Sequence, residues 1–480
     1  MQKSSARRAL PVALAALYFV CVGGEAGAPP ALPDMVPQRN PTGAAATFST
    51  TGKIPLDGPF FQSLGTNGRS CVTCHQPSDG WTVTPSQIRA RFDQTDGTDP
   101  IFRTVDGANS PLADVSSVDA RRRAYSMLLA KGLIRVGIAL PPNAEFDLIA
   151  VDDPYGYASA SELSLFRRPL PTTNLRFLST FMWDGRETIR DDAGPNCLKG
   201  TTTCFAAPHA DLAHQSNSAT AGHAQAATPL TDAQRDAIVA FETTLFTAQV
   251  FDDEAGDLGA RHAQGGPKAL AAAPFHFGMN DVVSGDYATG VAFDPNVFGL
   301  YARWQYDGKP GGKRGNSRSR DDARAAVARG EVLFNTRPIT ITGVKGLNDD
   351  LGAPVLAGTC TTCHDTPAAG NHSIPAPLDI GLTDAARRTA DMPLYTLRNK
   401  AAPGEVIQTT DPGRALVTGK WRDIGRFKGP ILRNLAARAP YFHNGFAPDL
   451  DAAVDFYNAR FGLNLSDDEH DDIVAFLLAL

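Results

Sequence analysis

Charge of one sign is what this 480-residue chain lacks: 45 Lys and Arg stand against 51 Asp and Glu, a formal net charge of −6. Without a basic excess there is no phosphate-binding face, which excludes nucleic acid as a partner. Long apolar runs are scarce as well. One stretch, Ala9 to Val22, could enter a bilayer; Lys3, Arg7 and Arg8 precede it and Ala26-Gly27-Ala28 follows. It is too short to span and reads as a cleavable secretory signal over residues 1–28, so the mature protein is expected to be exported and not to span the membrane. The composition, 42% apolar and 20% charged with 44 Gly and 35 Pro, excludes a disordered polymer, a collagen and a coiled coil. At this length two packed units are the default.

Cysteine is sparse too, but it is ordered. Cys71-Val72-Thr73-Cys74-His75 and Cys360-Thr361-Thr362-Cys363-His364 both read C-x-x-C-H, the pattern that attaches c-type haem. Two thiols add across the haem vinyl groups and the next residue supplies the proximal imidazole, so one short loop fixes both attachment and ligation. A redox C-x-x-C or half a zinc site would not need His directly after both pairs. Apart from Cys21 in the expected signal segment, Cys197 and Cys204 remain, bracketing a Gly/Thr-rich segment. In an oxidising compartment they read as a local disulfide, with free thiols as the alternative.

An internal repeat divides the chain. Leu230–Leu245 aligns without gaps on Leu465–Leu480, identical at eight of sixteen positions. Each copy opens with a capping box, Thr231 to Gln234 and Ser466 to Glu469, and then places Ile, Val, Phe and Leu at helical spacing. A closing helix thus follows each haem loop. Asp321-Asp322 and the face formed by Ala326, Val327, Gly330, Leu333 and Phe334 predict an opening helix for the second copy, with Gly330 allowing close helix contact. The expected fold is mainly α: two cytochrome c-like haem domains packed around a shared interface, with irregular insertions. The domains span 29–255, interrupted by an insertion at about 113–170 with a helical middle near Arg121 to Lys131, and 321–480. A connecting insertion covers 256–320.

Phe181-Met182-Trp183-Asp184-Gly185-Arg186, Phe427-Lys428-Gly429-Pro430-Ile431-Leu432-Arg433-Asn434 and Pro440-Tyr441-Phe442-His443-Asn444-Gly445 lie in order around the two haem loops. Together with those loops they resemble the bacterial dihaem cytochrome c peroxidase/MauG family, from about residue 55 to 480 apart from the insertions. The resemblance implies two covalently bound haem c groups, held by Cys71, Cys74 and His75 and by Cys360, Cys363 and His364. It also implies hydrogen peroxide chemistry at the N-terminal haem and a calcium ion between the haems. Tyr457 matches the family position of the distal ligand to the C-terminal iron, which is Met in the peroxidases and Tyr in MauG; Met392 and His372 compete. A phenolate favours ferric and higher oxidation states, so this haem is expected to store or relay oxidising equivalents.

Gating peroxidases of the family carry a distal His shortly after the first haem motif. Gln76 to Thr98 contains none, so the N-terminal iron is expected to be open, although His209, His214 or His223 could approach it. The distal Glu and Gln of the family fall by counting on Thr203 and Ala193. Realignment across the Cys197–Cys204 insertion brings Gln215 to the Gln position, with His223 and Gln225 near the Glu position. His223 is the titratable candidate for moving a proton. Trp183 corresponds to the tryptophan between the haems, while Asp184 and Arg186 are expected to fix a turn or pair with a propionate. Asn109 and the carbonyls of Arg438 and Pro440 match the calcium ligands, and His443 should lie near a propionate.

The implied electron source is a small redox protein, a cytochrome c or a cupredoxin, or a side chain of a protein substrate as for MauG. The different-class reading is an electron-transfer dihaem cytochrome with both irons capped. An oxygenase like the dihaem rubber-cleaving enzymes ranks last, because no apolar substrate channel is legible.

Overall fold

In the computed structural model, residues 30–188, 208–305 and 319–480 are described, with the backbone of 196–197 and 204–205. The expected signal segment lies outside them. Strand pairing sets Cys197 opposite Cys204, but the side chains of this expected disulfide are also outside the described residues.

Ten α-helices run in chain order among the described residues: α1 (Pro85–Thr95), α2 (Val118–Ala124), α3 (Ser126–Lys131), α4 (Pro208–Gly222), α5 (Asp232–Thr243), α6 (Pro267–Ala272), α7 (Arg320–Thr336), α8 (Ala415–Thr418), α9 (Leu450–Phe461) and α10 (Asp467–Ala479). Both foreseen capping boxes form, at the starts of α5 and α10. Ser319 caps α7, accepting from the Asp322 N–H at 3.2 Å. Helices α7 and α10 cross so closely that a Cβ on Gly330 would sit 1.9 Å from the Asp472 carbonyl oxygen. Val327, Phe334, Val474 and Phe476 are buried in this contact, each worth roughly 1.5–3 kcal/mol of apolar burial. Phe298, Tyr301 and Trp304, from the stretch expected merely to connect, complete the same core.

The first half closes differently. No helix precedes Cys71 among the described residues; α5 packs instead on a single 3-10 turn, Pro59–Phe61, with Phe60 and Phe241 rings 4.8 Å apart. Ile54, Phe60, Trp81, Ile238 and Leu245 form that core.

The mainly α expectation is corrected to a mixed fold, 32% helical and 19% strand. Gly43–Ser49 and Leu245–Asp252 pair antiparallel at the centre of a four-stranded sheet, from Leu245 opposite Ser49 to Asp252 opposite Gly43. The physical reason is composition: Leu245–Asp252 reads LFTAQVFD, whose Phe, Thr and Val favour a half-buried strand once the helix has ended. The insertion at 113–170 contains the foreseen α2 and α3, and also strand Phe146–Asp152. That strand pairs with Leu394–Asn399, which pairs in turn with Val406–Thr409. This sheet links the early insertion to the second half, and a buried cluster containing Phe177, Val239, Phe246, Ala369 and Ile431 joins the halves elsewhere.

Candidate haem-binding site

Each C-x-x-C-H segment forms the same small device. Cys71–Thr73 and Cys360–Thr362 are 3-10 turns, capped by reciprocal bonds between Ser70 and Thr73 and between Thr359 and Thr362. The turn brings two thiols and an imidazole to one cavity wall. His75 Nδ1 lies 3.1 Å from the Trp81 carbonyl and His364 Nδ1 2.7 Å from the Gly370 carbonyl. A carbonyl only accepts, so each Nδ1 carries the proton and Nε2 remains as the donor atom for a metal. Burial lowers both imidazoles to about 4, keeping them neutral.

The first cavity, about 160 Å³, is lined by His75, both thiols of its loop, Met182, Gln215, His223 and Glu242, among others. The second, about 240 Å³, is lined by His364, its two thiols, His372, Tyr457 and Leu477, among others. Trp183 and the segment Arg168–Pro171 border both. Trp183 is fixed there by its Nε1–H, which donates to the Arg168 carbonyl at 2.7 Å. Its ring meets His443 edge-on at 6.1 Å, and His443 stacks on Phe427 at 4.0 Å. From the shared wall at Trp183 an aromatic run thus continues into the second cavity through His443 and Phe427.

Of the three histidines that could approach the first cavity, only His223 lines it. His209 pairs with Asp236 and His214 with Glu187. His223 Nδ1 bonds Asp106, which also holds Arg69. Burial alone would raise the Asp106 carboxyl, but His223 and Arg69 hold it below its usual value. Gln215 also lines this cavity, whereas the placement of Gln225 is corrected. Gln225 follows the end of α4 with φ of 55°, and its amide oxygen accepts from Asn67 at 3.3 Å, outside the cavity wall.

Around the second cavity, Tyr457 on α9 packs between Phe442 and Phe461. Burial pushes its phenol well above the usual range. His372 stays within the same wall, held at Nδ1 by Asp365 at 3.1 Å with Nε2 unpartnered. Met392 packs with Met127, Leu133 and Phe166 and does not line the cavity.

Haem fits these walls on two counts. Burial pushes the thiols of Cys71, Cys360 and Cys363 up to about 12 and raises Cys74 as well, which sets two thiols beside the imidazole of each loop in an apolar wall. Among the described residues, the sole grouping with metal-ligand spacing is Asp451, His470 and Asp471, which contains none of them. The second count is charge. Arg168 and Lys428 are buried and Arg438 is half-buried at the cavity walls, and none has an ion pair among the described residues. Burial lowers them to about 10, 7 and 10. Lys428 and Arg438, which no carboxylate meets among the described residues, would suit an anionic guest, and haem propionates are one.

Asp184 and Arg186 do fix the turn after Trp183: Asp184 accepts from the Arg186 N–H at 3.2 Å and pairs with its guanidinium at 2.9 Å. Asp184 also pairs with the buried Arg167, which clamps Asp411 of the second half at 2.7 Å. Burial would raise Asp184, but Arg167 and Arg186 hold it at about 2. The calcium donors do not fit. The Asn109 amide is used by Ser126 at 2.7 Å and by the Met127 N–H at 3.3 Å, and the Arg438 carbonyl already accepts from Arg168.

Sequence reasoning missed Glu242 and Arg168. Glu242 is 4% exposed, and its Oε2 has no partner. Burial pushes the carboxyl up to about 8. Its signal was available: a carboxylate on the apolar face of α5, aligned by the repeat on Leu477.

No protein-family model matches the chain. A cytochrome-c peroxidase, IdrP1, from Pseudomonas sp. (strain SCT) is 32% identical over 140 residues, 25% of this chain and 36% of that protein. The chain thus matches about a third of the length of that relative. The methylamine utilization protein MauG of Paracoccus denitrificans (strain Pd 1222) is 59% identical over 34 residues, 7% of this chain and 9% of the relative. A solved MauG-like protein associated with microbial copper homeostasis aligns over 94% of this chain and 93% of its own, at 15% identity and a TM-score of 0.33. Two C-x-x-C-H loops thus border cavities that share one tryptophan wall, and over part of its length the chain is similar in sequence to bacterial cytochrome c peroxidases and to MauG.

Proposed function

We propose that the protein is a periplasmic dihaem c-type oxidoreductase with one haem domain in residues 29–255 and another in 321–480. It reduces hydrogen peroxide at the haem attached to Cys71 and Cys74. The electrons come through the haem attached to Cys360 and Cys363, from a small redox protein such as a cytochrome c or cupredoxin, or from a protein substrate. When bound, the haems supply the redox chemistry; the chain supplies attachment, protons and a path. Turning one peroxide into two waters takes two electrons and two protons.

The observation that carries this reading is the difference between the two cavities. The first has groups that can hold or move a proton: His223 with Asp106 behind its Nδ1, Glu242 at its unpartnered Oε2, and the Gln215 amide to orient peroxide. The second has the Tyr457 phenol within its wall, which together with His364 would hold the iron of a bound haem. Trp183, bordering both, carries electrons between them, with Lys428 above its ring at 5.9 Å.

The test is a stopped-flow reaction of the fully reduced holoprotein with peroxide. About one equivalent should reoxidise both haems. Haems that stay reduced would make the protein a carrier cytochrome, with the first iron capped by His223 or Met182, the other potential donors in that wall. Tyr457→Phe should change the EPR signature of one haem only; an unchanged spectrum removes Tyr457 as a ligand.

A further inference from the structure

The resemblance implies a calcium ion between the halves, on the Asn109 amide and the carbonyls of Arg438 and Pro440, and the donor set found here disagrees. We propose that the guanidinium of Arg168 is the cation of that junction, so that the protein holds its two halves together without calcium.

The geometry is that of a filled cage. Arg168 Nη2 donates to the carbonyls of Val83 at 2.8 Å, Arg438 at 3.1 Å and Ala439 at 3.5 Å. Nη1 donates to the carbonyls of Lys131 at 3.0 Å and Gly132 at 3.3 Å. These carbonyls come from the segment after the first haem loop, from the end of α3 and from the second half. A set of neutral main-chain oxygens converging on one charge is what a hard cation seeks, and here the charge is part of the chain. Arg168 has no carboxylate in contact among the described residues, so the carbonyl dipoles are its compensation.

Two further observations exclude a shared occupancy. Asn109 is turned into the α2–α3 junction, where its Oδ1 accepts the Met127 N–H and its Nδ2 donates to Ser126. A divalent ion on the Arg438 carbonyl would stand beside the Arg168 guanidinium and near the Arg438 guanidinium and the Lys428 ammonium, with no carboxylate paired to any of them among the described residues. The cage is also shaped for a guanidinium. Gly132 adopts φ of +61°, and a Cβ there would lie 2.0 Å from Arg168 Nη1.

The same residue positions the wall between the cavities. Its main-chain N–H donates to the His443 carbonyl at 2.6 Å, and its carbonyl accepts from Trp183 Nε1 at 2.7 Å. Arg168 is therefore a positioning residue for Trp183 as well as the tie between halves.

Metal analysis of the purified holoprotein tests this, together with thermal melts and EPR in chelator and in millimolar calcium. The expected result is no stoichiometric calcium, and a melting midpoint and EPR spectrum that neither chelator nor calcium moves. One calcium per chain, whose removal changes either readout, would overturn the proposal. This arm needs no variant and no peroxide, so its failure is separate from failure of the proposed reaction. Arg168→Asn, which empties the cage and leaves a neutral oxygen donor, should lower the midpoint and make it calcium-dependent, with calcium restoring much of the loss. A destabilised variant indifferent to calcium would contradict the idea that this cage is a cation site. If Arg168→Asn does not fold, Gly132→Ala displaces the guanidinium in its place: a melting midpoint that falls and then rises with calcium supports the proposal, and an unaltered one opposes it.

Discussion

The two cavities grow from one repeated plan and part company at the wall. On the first, the closing helix presents Glu242; on the second, the repeat puts Leu477 at the same position. The first wall also has His223 backed by Asp106, and the second has Tyr457. Attachment is the same in both, down to the capped 3-10 turn and the imidazole held by a main-chain carbonyl. The repeat thus keeps the same capped loop in both halves, while the side chains around it differ, with His223 and Glu242 at one wall and Tyr457 and Leu477 at the other.

Breaking this contrast should affect the first cavity most. His223→Ala is expected to slow the reaction with peroxide roughly 10²–10⁴-fold, the range of a lost proton-transfer group, as read by stopped-flow absorbance. A wild-type rate would return His223 to a packing role. Next in size is the clamp between the halves. Arg167→Met leaves Asp411 buried without its Arg167 partner and Asp184 with Arg186 alone, which should cost about 3–5 kcal/mol in denaturant unfolding. Gly330→Ala drives α7 against the Asp472 carbonyl and should cost about 1–3 kcal/mol through overpacking.

The finest test is pH. The Glu242 carboxyl sits at about 8 in the fold against 4.5 ordinarily. Between these values the folded protein keeps a proton that the unfolded chain releases, so stability is fully present below the lower value and declines as pH rises through the upper. One such proton contributes at most about 1.4 kcal/mol per pH unit. Glu242→Leu, which copies the second cavity into the first, should flatten that slope in melts recorded from pH 5 to 8. A slope that persists assigns the proton to another group.

What could be read from the sequence was whatever is written locally. The haem loops, both capping boxes and the close contact at Gly330 depend on residues a few positions apart, and they stand as expected. The strands did not announce themselves, because Phe146–Asp152 gains its partner from Leu394–Asn399, more than two hundred residues away. Tertiary pairing decided its conformation, not a local period. The second half opens on α7 as its sequence predicts, whereas in the first half the short Pro59–Phe61 turn stands before the haem loop. Of the first-cavity candidates, Gln215 and His223 reached the wall and Gln225 did not, because the turn after α4 carries it toward Asn67. Arg168 was illegible for the opposite reason: its carbonyl partners come from segments that only the fold brings together.

The central claim is that the first haem keeps a reactive face while the second is closed. Electron paramagnetic resonance of the ferric holoprotein, before and after peroxide, tests it most directly. The account predicts one high-spin and one low-spin component, with the high-spin signal lost on adding peroxide. Two low-spin signals that peroxide leaves unchanged would contradict it.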